Sequence, residues 1–105
     1  MLLDLQLNDA KDTLEVYVDG DVDVNSVKEL KKGLEENIEE YHPNVVVDCG
    51  KMNYIDSTGL GVLVSVLKKV QKYDGRIKIV ELKPYLYKIF EVTGLTRLFE
   101  IEVAG

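Results

Sequence analysis

A single cysteine, Cys49, and a single histidine, His42, stand among the 105 residues, and there is no tryptophan. One thiol cannot close an internal disulfide, and one thiol with one imidazole is too few soft ligands for a structural zinc site. That usage fits the reducing cytoplasm. No apolar run approaches the length needed to cross a bilayer, and no basic segment followed by an apolar stretch opens the chain, so neither an anchor nor a signal peptide is expected. Positive charge is scarce: 13 Lys and Arg against 19 Asp and Glu leave a formal charge of −6. Attraction to phosphate dominates binding to nucleic acids and anionic membranes, and here that attraction is reversed, so neither is expected as a partner and another protein is. Linkers, internal repeats and low-complexity segments are also missing, and residues 1–105 read as one domain. With 46% apolar residues, such a domain buries roughly two thirds of the surface its unfolded chain exposes.

What is present is ordered patterning. Leu3, Leu5 and Leu7 alternate with polar residues, as do Leu14, Val16 and Val18, and the polar Asn8–Asp12 between them is short enough for a hairpin of two antiparallel strands, the second ended by Gly20. From Val27 the apolar residues Val27, Leu30, Leu34 and Ile38 fall on one helical stripe, with Ser26 and Glu29 spaced as a capping box and Asp23 and Asn25 competing for the cap. His42-Pro43-Asn44 closes that helix. Val45-Val46-Val47 reads as a central strand covered on both faces, with Asp48 at its polar end. A second helix from Leu60 to about Tyr73 buries Leu60, Leu63, Val64, Leu67 and Val70, while Val62 and Val66 widen its apolar arc and need a cover of their own. Asp74-Gly75 stops it. Ile77 and Ile79 mark a fourth strand, Pro84 opens a third helix carrying Leu86, Ile89 and Phe90 inward, Gly94 follows as its C-terminal cap, and Leu98–Val103 is the last strand. Strands alternating with helices imply parallel pairing through right-handed crossovers, hence a small α/β domain whose mostly parallel mixed sheet carries an antiparallel N-terminal strand and about three helices.

The stretch from Asn53 to Gly61 delivers a strand into a helix N-terminus. Side-chain oxygens of Asp56, Ser57 and Thr58 can satisfy the donors left free in a first helical turn, and Gly59 and Gly61 leave the backbone open to whatever approaches. Enzymes place catalytic groups at such a loop, but the supporting residues are lacking. Ser57 has no nucleophile-elbow frame, and His42 stands at the opposite end of the sheet. Gly59-Leu60-Gly61 lacks the third glycine of a dinucleotide fingerprint and the Gly-Lys ending of a phosphate loop. Asp21, Asp23, Asp48 and Asp56 can gather near one end of the sheet, which leaves magnesium open, although solvated loop acids are far commoner; no cofactor is expected. On spacing alone Asp56, Ser57 and Thr58 are helix caps, Asp23 a turn residue and Cys49 a small buried group.

Asp56-Ser57-Thr58-Gly59-Leu60-Gly61, preceded by Gly20-Asp21-Val22-Asp23 and Val45-Val46-Val47-Asp48, resembles an anti-sigma factor antagonist of the STAS family. Phe90 to Leu95, with Leu98-Phe99 after it, is similar to the family's closing helix and strand, so the likeness covers almost the whole chain. It implies a switch. The unphosphorylated domain would bind an anti-sigma factor and free the sigma factor; that partner, also an ATP-dependent serine kinase, would phosphorylate the residue matching Ser57 and end the complex, and a metal-dependent serine phosphatase would restore it. The contact surface would be Asp23, Asp56, Ser57, Thr58, Gly59, Leu60, Gly61 and Val62, with Asp23 the direct contact and Asp56 the cap. The domain would be substrate and ligand rather than catalyst.

Two departures stand beside the likeness: the family's usual helix after the last strand is not among these residues, and Thr58 holds a position where many relatives have serine. Two alternatives remain. A nucleotide-binding STAS module would receive a phosphate at Gly59 and Gly61 on the helix N-terminus. A receiver-like domain would be phosphorylated on Asp48 at the end of the central strand, although no acidic pair follows the first strand and no lysine closes the last.

Overall fold

Leu14, Val16 and Val18 point to one side of strand β2 (Thr13–Val22) and are buried, while Glu15 and Tyr17 point to the other and are exposed. The computed structural model, which describes residues 1–105, pairs this strand antiparallel with β1 (Leu2–Leu7). The turn between them is closed by Asn8, whose Oδ1 accepts hydrogen bonds from the backbone N–H groups of Asp12 and Thr13 at 3.0 and 3.1 Å. Helix α1 (Val27–Tyr41) follows, then β3 (Asn44–Ile55), α2 (Ser57–Gln71), β4 (Ile77–Leu82), α3 (Pro84–Val92), a 3-10 turn at Leu95–Arg97 and β5 (Glu100–Val103).

The sheet order is β1-β2-β3-β4-β5, and only the first pair is antiparallel. This is the α/β domain with an antiparallel first strand and three helices that the patterning implies. Because every parallel strand is added on the same side of the one before it, right-handed crossovers place all three helices on one face of the sheet. The inward residues of the strands and the buried residues of α1, α2 and α3 accordingly form one core cluster. Strand β3 is therefore not covered on both faces: Val45, Val47 and Cys49 enter the core, while Val46 and Asp48 sit half-buried on the open side. A run of three valines cannot by itself distinguish a strand sandwiched between helices from one with a partly shielded outer face.

Other boundaries move as well. Gly20 does not end β2; it lies inside the strand at a φ of +99°, where β2 and β3 shift register, and the strand continues to Val22. Asp48 does not end β3, which runs seven residues further to Ile55. The Ser26–Glu29 capping box does not form. Ser26 instead accepts from the Asp23 N–H and donates to the Asp21 carbonyl, both at 3.0 Å, fastening the loop between β2 and α1. At its far end α1 closes on His42, whose left-handed backbone returns an N–H to the Ile38 carbonyl.

Val66 and Val62, the residues that widen the apolar arc of α2, are both buried, Val62 at 9% exposure, while Val64 is only half-buried. Their cover lies within the domain: α1 packs along α2, and Lys69 of α2 pairs with Glu35 of α1. Helix α3 begins at Pro84 as expected and buries Leu86 and Phe90, the latter edge-on to Phe99 with ring centroids 6.2 Å apart. No helix is long and apolar enough to cross a membrane.

Candidate partner-binding site

The connection between β3 and α2 is one residue, Asp56, since Asn53–Ile55 belong to the strand and Ser57 is already helical. Its side chain caps the helix: Oδ1 accepts from the backbone N–H groups of Thr58 at 2.9 Å and Gly59 at 3.1 Å, and from the Thr58 hydroxyl at 2.5 Å. The Thr58 hydroxyl first, then the amide of Gly59 and those of Thr58 and Val24, hold the Asp56 carboxyl below its usual range against partial burial. Asp56 also donates its own N–H to the Val22 carbonyl at 3.0 Å, so the helix start is tied to the end of β2.

This arrangement separates the neighbouring hydroxyls. Thr58 is committed to Asp56, whereas Ser57 is exposed at the first helical position and its hydroxyl takes no part in the side-chain bonding of the cap. The two glycines separate in the same way. A Cβ on Gly59 would stand 2.7 Å from Val22 Cγ1 and 2.8 Å from Ile55 Cγ1, so this glycine lets the helix sit on the strand ends. A Cβ on Gly61 would meet nothing within 4 Å.

Of the residues expected to form a contact surface, Ser57, Thr58 and Gly61 are exposed, Asp23 and Asp56 are half-buried, and Gly59, Leu60 and Val62 are buried beneath them. Gly59 is thus no opening for an incoming molecule. Asp23 follows Val22, the β2 partner of Ile55, and its Oδ1 accepts from the Asn25 N–H at 2.9 Å, which fixes the carboxylate at the same end of the sheet as Ser57. Val24, 66% exposed, was not expected here; alternation with Val22 gives it the look of a core residue, and only the turn of the loop carries it outward. Asp48 stands apart on the open face, its Oδ1 accepting from the Gly50 N–H. No group of three or more His, Cys, Asp or Glu is placed to hold a metal ion.

The STAS domain family model matches residues 4–104 of the chain. The chain belongs to the STAS domain family. This STAS domain is 33% identical to an anti-sigma-B factor antagonist of Staphylococcus epidermidis over 101 residues, covering 96% of this chain and 94% of that protein. Among solved structures it resembles the anti-sigma factor antagonist SpoIIAA in its unphosphorylated form, with a TM-score of 0.79 at 15% identity over 99% of this chain and 90% of the other. It also resembles the Bacillus cell fate determinant SpoIIAA in the phosphorylated form, with a TM-score of 0.76 at 16% identity, over 97% and 92% of the two chains. These two likenesses are of fold. Within the STAS domain the first-turn amides of Thr58 and Gly59 are already taken by Asp56, which leaves a bound phosphate group few donors.

Proposed function

We propose that this STAS domain is an anti-sigma factor antagonist, switched by phosphorylation of Ser57. Its relative in Staphylococcus carries that function in its name, and the observation at the site that supports the switch is the division of labour between Asp56 and Ser57. The cap is made by the carboxylate, so the exposed hydroxyl beside it is free to accept a phosphoryl group while the helix keeps its N-terminus. Thr58 is a poorer acceptor, because its hydroxyl would first have to leave Asp56.

In this reading the unphosphorylated domain binds an anti-sigma factor in the cytoplasm through Asp23, Asp56, Ser57, Thr58 and Gly61, with Gly59, Leu60 and Val62 forming the packed support below. The partner is also the ATP-dependent serine kinase, and a metal-dependent serine phosphatase reverses the modification. The domain serves as ligand and substrate, not as catalyst. Phosphate adds about −1.5 to −2 charges at a helix N-terminus, where the dipole favours them, although the nearby Asp56 carboxylate opposes part of that gain. An interface closed over Ser57 must instead desolvate the dianion, and a loss of about 3 kcal/mol already weakens binding more than a hundredfold. Asp23 steers a basic surface of the kinase toward the hydroxyl.

The test is to incubate the chain with its anti-sigma kinase and ATP, locate the phosphate by mass spectrometry, and measure kinase binding by Ser57→Ala and Ser57→Asp. Phosphate on Ser57, a retained complex for the alanine variant and one at least tenfold weaker for the aspartate variant are expected. Equal affinities for the two variants, or phosphate elsewhere, would overturn the reading. Resistance of the modification to hydroxylamine separates it from an acyl phosphate on Asp48.

A further inference from the structure

The face of the sheet opposite the helices carries a cleft of about 670 Å³ that the Ser57 switch does not use. Two bulges shape it. Strand β3 has one residue more than β2 between the pairs Tyr17–Asp48 and Asp19–Lys51, and β4 has one more than β5 between Ile79–Ile101 and Leu82–Val103. Glu81, inside the second bulge and next to the last residue of β4, holds a left-handed φ of +56°. Tyr17 and Leu2 give the cleft apolar surface, at 37% and 71% exposure.

Asp4, Asp19, Asp48 and Glu81 line it against one cation, Lys51, and none of these carboxylates belongs to an ion pair of the fold. On the β4–β5 side of the same face the opposite holds: Lys78 is paired with Glu102, and Arg76 with Glu100. The hydrogen bond that Tyr17 donates to Glu15 is the first cause that pushes its phenol up, followed by burial and the Glu15 charge, and Asp48 and Asp4 add smaller contributions from within the cleft. We infer that this uncovered sheet face is a second docking surface, for a protein segment in which arginine or lysine alternates with apolar side chains. Charge complementarity selects that occupant: the carboxylates meet the cations, the Tyr17 ring offers a stacking surface for a guanidinium, and Leu2 and Tyr17 take the apolar side chains. An anionic ligand meets the wrong sign.

The probe is a short synthetic peptide alternating arginine and leucine, titrated into the isotopically labelled full chain, with an alternating glutamate and leucine peptide as control. Backbone NMR shifts centred on Asp4, Tyr17, Asp48, Gly50 and Glu81, at least tenfold weaker binding by the Asp48→Asn, Glu81→Gln double variant and unchanged binding by Asp23→Asn are expected. Ser57→Asp also binds the peptide unchanged, so failure of the switch and failure of this surface are read separately. Shifts centred on the N-terminus of α2, or equal affinity after neutralisation of Asp48 and Glu81 in a variant whose spectrum remains folded, would overturn the proposal. So would the same shifts appearing without peptide as the protein is concentrated, since the occupant would then be a second copy.

Discussion

Gly59 and Gly61 are two residues apart in one helix and are glycine for different reasons. At Gly59 an added methyl group runs into Val22 and Ile55, short side chains held in the core. Overpacking of that kind costs about 1–3 kcal/mol, more than the roughly 1 kcal/mol that alanine recovers in helix propensity, so Gly59→Ala should lower the urea midpoint. At Gly61 the methyl group meets nothing, and Gly61→Ala should raise stability by about 0.5–1 kcal/mol. A glycine that weakens its own helix without serving the fold is understandable if a partner's backbone comes close there. Gly61→Ala should therefore bind the proposed anti-sigma partner less well while unfolding at higher urea, a pairing of signs that damage to the fold cannot produce. Neither glycine's role could be read from spacing, since Gly59-Leu60-Gly61 presents them as equivalent and only the approach of β2 to α2 tells them apart.

For whole elements, the sequence was legible where periodicity meets a single buried face. Leu30, Leu34 and Ile38 of the α1 stripe and the Leu14, Val16, Val18 alternation of β2 are buried in the structure, with Val27 half-buried against the same core. Legibility fails at the joints, where local spacing competes with contacts made far along the chain. Ser26 and Glu29 have the spacing of a capping box, yet the Ser26 hydroxyl is drawn to the loop that precedes it. Glu29→Ala should leave stability unchanged within about 0.5 kcal/mol, whereas Ser26→Ala should cost about 1 kcal/mol by releasing the Asp23 N–H and the Asp21 carbonyl. Chemical denaturation of the two variants decides the point. A capping box predicts comparable losses, and the loop fastening predicts a loss at Ser26 alone. Because Asp23 is held by that fastening, Ser26→Ala should also slow association with the proposed anti-sigma partner.

In the molecule as a whole, pH acts at two well-separated ends. Hydrogen bonds hold the carboxyls of Asp12 and Asp56 below their ordinary 3.8, so the stability they give is present above that value and is lost as pH falls through the lower folded values. On the alkaline side burial pushes Cys49 from 9.0 and Tyr73 from 10.0 to about 12 each, the first inside the core and the second bonded to the Pro43 carbonyl at 2.8 Å. Both must stay neutral in the native state while the unfolded chain ionises freely. Their contribution is therefore whole below the unfolded values and disappears as pH rises through the folded ones. Above about pH 9 the Cys49 thiol alone imposes a decline of up to about 1.4 kcal/mol per pH unit. Cys49→Ala should be less stable near neutrality, because it leaves a small void, yet should lose less on going to high pH. Urea midpoints measured across the alkaline range should thus converge for the two proteins. Parallel decline would mean that the thiol is reached by solvent and that β3 does not close against α2 as tightly as its buried residues require.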